Sequence, residues 1–271
     1  MLNILNAVVA MGFFSLAANP LHAQKPPEAV DLSSFPGQSI DDVLVPVPSE
    51  VFIVLDKLGN PNWRSELRGS LGHQTGNRAQ VALLLGTVIA EGFVAVEAED
   101  SEQVKDIGRR VLTLSKAINV EKAVLERSKS ITEKADVKDW IAVRKEFDGA
   151  LQDVKGAMQE LGDDDLAQLV SVGGWIRGTE VLTSIIRKNY TADSAELLHQ
   201  PALVHFFSKK LDTLSNKRLA DDELVERIRK LLSAIAPLIG DGEGGVIPQE
   251  NVTRIHKMTR DTVAAITSKG A

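Results

Sequence analysis

The chain has 271 residues, 44% apolar and 25% charged, which is enough to bury a sizeable core and is not the composition of a disordered protein. Its formal net charge is −6 with no basic run interleaved with aromatics, which argues against nucleic acid as a partner. There is no cysteine, so disulfides, thiolate metal sites, cysteine nucleophiles, covalently attached c-type haem and a lipidated N-terminal Cys are all excluded.

Met1 to Ala23 carry no charged side chain, Ile4 to Ala18 are apolar apart from Asn6 and Ser15, and Pro20 precedes Leu21-His22-Ala23. The pattern is that of a secretory signal peptide cut after Ala23, although no Lys or Arg marks its start. The apolar core is shorter than the roughly 20 residues that span a bilayer. Export to the periplasm or the extracellular space is expected, with membrane association only if the segment stays uncleaved.

Residues 24–48 hold five prolines and read as an extended leader; residues 49–271 read as the folded domain. Val43 to Val47 and Val51 to Leu55 are the only strand-like runs, and Pro46 weakens the first. Ser49 can cap a short helix, Glu50 to Leu58, that Gly59 and Pro61 stop. Gly69, Gly72 and Gly76 form a turn rather than a phosphate loop, because no Lys-Ser/Thr follows and no strand precedes.

Arg78 to Glu97 is apolar nearly all round and belongs in the middle of a bundle. Asn77 with Gln80, and Asp100 with Gln103, give capping-box signatures for this helix and the next. Val104, Ile107, Val111, Leu114 and Ile118 make a seam in the second. Alternating charges continue the helical pattern from Val120 to Lys134. Asp136 is expected to cap the next helix, with a seam of Phe147, Leu151, Val154, Met158 and Leu161 ending at Gly162.

Asp163-Asp164-Asp165 suit a helix N-terminus and lack the ligand spacing of a calcium loop. Leu166 to Lys188 reads as a second buried helix, and Ser194 to His199 as a short one. Amphipathic helices follow from Pro201, from Asp221 or Asp222 (ended by Pro237 and the Gly240–Gly245 loop), and from Pro248. The fold class is all-α: a single multi-helix bundle of seven or eight helices.

Ala79-Gln80 and Gly86 match Ala167-Gln168 and Gly174 at a shift of 88 residues, with Glu91 and Glu180 at 89. A duplicated helical hairpin explains the match, and so does the likeness of any two apolar helices.

Glu91 inside the apolar helix needs a partner, since an unpaired carboxylate in a dry core costs several kcal/mol. Arg177 lies one turn before Glu180, so Glu91, Arg177 and Glu180 form one buried network if the two helices touch. The rival reading is a di-metal site of Glu91, Glu180, Glu196 and His199, on the strength of one Glu-x-x-His motif where such sites use two. A non-covalent haem on His205 and His256, with Met258 nearby, is the other cofactor alternative. No Gly-x-Ser-x-Gly elbow is present. The leading expectation is therefore a non-catalytic exported helical protein without a cofactor, binding a protein partner or forming a homo-oligomer. A hydrolase built from residues distant in sequence is a third reading.

Overall fold

Four turns of one design fold the first five helices back and forth. In the computed structural model, which describes residues 61–69, 76–240 and 245–268 together with the backbone of 37–40 and 43–46, these helices are α1 Arg78–Glu97, α2 Ser101–Ala117, α3 Glu121–Asp136, α4 Trp140–Glu160 and α5 Asp164–Lys188. Each of the first four ends in a residue with left-handed backbone: Glu99 at φ 51°, Asn119 at 65°, Lys138 at 58° and Gly162 at 70°. The next N–H then reaches back to a carbonyl five residues earlier, as in Asp100 to Ala95 at 3.0 Å and Asp163 to Met158 at 2.8 Å. This satisfies otherwise orphaned carbonyls at the helix end, and it returns the chain within three residues.

After α5 come a single turn at Ala192–Ala195 and a 3-10 turn at Glu196–Leu198, then α6 Pro201–Asp212, a turn at Lys217–Ala220, α7 Glu223–Ile239 and α8 Gln249–Thr267. The eight long helices form the bundle that the periodicity implies, and Ser33–Ala271 is one compact unit. One small departure stands beside it. Gly37–Ile40 (β1) and Val43–Pro46 (β2) pair antiparallel, and β2 lies against α6. Pro46 sits opposite Gly37 at the end of the ladder, where its missing N–H interrupts no bond inside it.

Every residue from Ala79 to Val96 of α1 is buried. The helix is long and apolar enough to cross a membrane, but that window is enclosed by the bundle, chiefly by α5 and also by α2, α4, α7 and α8. It runs parallel to α5: Gly86 meets Val170, Thr87 reaches the Gly173 carbonyl at 3.3 Å, and Glu91 meets Arg177. Glycine is required at this crossing. A Cβ on Gly86 would lie 1.9 Å from the Val170 oxygen, and one on Gly173 would lie 2.1 Å from the Leu83 oxygen.

The α2 seam is buried as expected, from Val104 to Ile118. The α4 seam is shifted: Val143, Phe147, Ala150, Val154 and Met158 are buried, Leu151 is half-buried, and Leu161 is 57% exposed because it lies in the turn beyond the last helical residue. Asp139 caps α4, accepting from Ala142 N at 3.1 Å, in place of Asp136, which is the last residue of α3. Asn77 caps α1, but Gln80 does not close a capping box. Its amide crosses the bundle to the carbonyls of Ile266 and Ser268 at 3.1 and 3.0 Å, tying α1 to the end of α8.

The acidic trio also has partners distant in sequence: Asp163 accepts from Arg78 at 2.8 Å, and Asp165 from Asn216 N at 2.7 Å. Pro237 lies inside α7, two residues before its end, and Gly240 at φ 74° is the C-cap. The expected signal peptide over 1–23, most of the 24–48 leader, the helix at Glu50 to Leu58 and the loop around Gly72 lie outside the described residues.

Candidate functional site

The α1–α5 crossing places Glu91 beside Arg177, and the chain just ahead of α1 closes over them. Arg177 Nε donates to Glu91 Oε2 at 2.7 Å, Nη1 to Glu180 Oε2 at 2.9 Å, and Nη2 to the Glu66 carbonyl at 2.5 Å. Both Arg177 and Glu91 are within 2% of complete burial at the side chain. Burial works against the Arg177 charge, but Glu91 and Glu180 more than offset it and hold its pKa above the ordinary guanidinium value.

A 3-10 turn at Trp63–Glu66 supplies the cover, fixed by the buried Trp63. Beyond it, Arg68 closes the network twice, with its backbone N–H to Glu91 Oε1 at 2.6 Å and its Nη1 to Glu180 Oε1 at 2.7 Å. Lys188, at the end of α5, pairs with the Glu66 carboxylate. Each of the three carboxylates therefore meets a cation, and both oxygens of Glu91 and of Glu180 are occupied. A buried charge set of this kind is tolerated only when its members are satisfied together.

A cleft of about 430 Å³ opens above the network, walled by Arg68, Gly69, Arg177, Ser184, His256 and Arg260. His256, from α8, is buried, and its Nδ1 lies 3.3 Å from both the Glu180 carbonyl and the Thr183 hydroxyl. That hydroxyl sits 2.7 Å from the Thr179 carbonyl, to which it donates, so the imidazole N–H belongs on Nδ1 and Nε2 is left as the acceptor. Burial pushes the His256 pKa below 6.5, and the charges of Arg187 and Arg260 push the same way. The imidazole is neutral at pH 7.

The chain matches no family model, no curated protein and no solved structure.

The four candidate metal ligands do not gather. Glu91 and Glu180 come together, but around the Arg177 guanidinium, which takes the place a cation would have. Glu196 and His199 pair with each other at 2.8 Å, on the short turn before α6. No group of three or more His, Asp or Glu among the described residues is arranged to hold a metal ion. The two haem candidates separate as well: His256 lines the cleft over Arg177, whereas exposed His205 lines another, between α6 and α7.

The sequence flagged Glu91, Arg177 and Glu180. It gave no role to Glu66, Arg68 or Lys188, which reach the network from a short polar segment and from a helix end. Two carboxylates against one guanidinium leave a negative charge unanswered, and that imbalance is the one signal that calls for a further cation, without naming it.

Proposed function

We propose that the protein is an exported, non-catalytic α-helical binding protein of the periplasm or cell envelope, and that its partner docks at the cleft above Arg177. One observation carries the reading. The cleft floor is a closed set of ion pairs in which every carboxylate oxygen of Glu91 and Glu180 already accepts from Arg68 or Arg177. Such a floor is rigid and pre-organised, which favours recognition, because little ordering remains to be done on binding. Export rests on the signal-like N-terminal sequence, with Gln24 as the expected first mature residue.

The test uses Gly69, at whose position a Cβ meets nothing within 4 Å. Tagged full-length chain and its Gly69→Trp variant are expressed in cells and recovered from the envelope fraction. A discrete species, another protein or a second copy, that accompanies the native chain in fixed ratio and is lost with Gly69→Trp supports the reading. The same species with both chains, or none with either, overturns it.

A catalytic reading has one observation in its favour: Ser184 and the neutral His256 line the same cleft. It requires turnover of an ester or phosphoester that Ser184→Ala and His256→Gln both abolish.

A further inference from the structure

The charges around the cleft do not cancel. Glu66, Glu91 and Glu180 are answered by Lys188, Arg177 and Arg68. Among the described residues, two cations remain beyond that set. Arg260 lines the cleft with its side chain 55% exposed, and its contact with Asp261 is long, at 3.9 Å. Asp261 is itself held by Lys257 at 2.6 Å. Arg187, next to Lys188 on α5, adds a second positive charge close enough to act on His256. In a chain of net charge −6, this is a local positive excess at a concave wall, with Arg260 on the wall and Arg187 near it, where field lines are focused.

Donors are present as well as charge. Arg68 spends Nη1 on Glu180, and its side chain, 21% exposed, lies on the cleft wall with guanidinium N–H groups to spare beyond that bond. Ser184 adds a hydroxyl to the same wall. Arg177 is committed to Glu91, Glu180 and the Glu66 carbonyl, so it fixes the floor and leaves ligand contacts to the wall.

We infer that the cleft is an oxyanion site, in which Arg260 and Arg68 hold a phosphate or carboxylate group presented by the partner, with Ser184 donating a further hydrogen bond. The inference rests on the cleft being the docking site, and it names the chemistry recognised there. Guanidinium forks suit both phosphate and carboxylate oxygens, and the two sources differ in charge.

The probes are inorganic phosphate and acetate, titrated separately into the full chain by calorimetry at low ionic strength, with sodium chloride as the control. Saturable binding of phosphate or acetate, weakened about tenfold or more by Arg260→Gln, is the expected result. Phosphate binding well above acetate identifies a phosphate source, and comparable binding identifies a carboxylate. Thermal unfolding of Arg260→Gln in the absence of ligand checks that this half-exposed residue has not changed the fold.

Binding no stronger than chloride, or phosphate and acetate binding that Arg260→Gln leaves unchanged, overturns the inference. A partner that still depends on Gly69 while neither anion binds contradicts the oxyanion chemistry alone. Loss of the partner result together with intact anion binding contradicts only the docking of a macromolecule.

Discussion

Arg177 and Glu91 meet across the α1–α5 interface at 2.7 Å, both buried, on parallel helices whose glycines bring the backbones into contact. The pair is costly to break because the survivor is left charged in a dry site. Arg177→Met should destabilise the fold by about 3–5 kcal/mol. Adding Glu91→Gln should recover part of that loss, since the stranded carboxylate is removed. Urea unfolding of the single and double variants measures both, and equal losses for Arg177→Met and the double variant would refute a pairing role.

Glycines in α5 separate into two kinds. Gly173→Ala drives a Cβ into the Leu83 carbonyl and should cost about 2 kcal/mol or more, as overpacking against backbone does. Gly178→Ala, five residues on in the same helix, meets nothing within 4 Å and should gain up to about 1 kcal/mol from helix propensity. Opposite signs in thermal unfolding are the expected outcome; the same sign for both would contradict the close crossing.

The repeated turns carry strain at Glu99, Asn119 and Lys138, which hold left-handed backbone with a side chain attached. Lys138 is exposed, so Lys138→Gly removes the strain without touching the core. The gain is offset by the extra freedom of glycine in the unfolded chain, leaving up to about 1 kcal/mol. Loss of stability on denaturant unfolding would argue against this turn geometry.

His256 gives the fold a pH dependence of definite sign. Above about 6.5 the imidazole is neutral in both folded and unfolded chains and stability does not change with pH on its account. Below that value the unfolded chain binds a proton that the folded chain resists, because burial, Arg187 and Arg260 lower the folded pKa. Stability should therefore fall as pH drops below 6.5, by up to about 1.4 kcal/mol per pH unit for one proton. His256→Gln should flatten that part of the profile in urea midpoints from pH 8 to pH 5. An unchanged slope would show that other groups set it.

The helices were legible because their apolar positions recur at helical spacing, and the all-buried α1 because no polar face interrupts it. Helix ends were less so. Asp136 and Asp139 are equally good caps by residue type, and only the left-handed turn at Lys138 decides between them. Gln80 shows the same limit: sequence proximity favoured a local cap, whereas the nearness of the α8 terminus took its amide elsewhere. Within the site, Glu91, Arg177 and Glu180 were legible as charges in apolar helices. Arg68 and Lys188 were not, because an exposed-looking cation gives no sign of the fold that covers it.

Site-directed photocrosslinking in cells tests the central claim, that a partner docks in the cleft over Arg177, most directly. A photoreactive amino acid is placed at Gly69, on the cleft wall, and separately at Val137, which is 72% exposed in the α3–α4 turn. A single discrete adduct formed from position 69, absent from position 137 and lost on Arg260→Gln, is the predicted result. No adduct from position 69, or the same adducts from both positions, would contradict it.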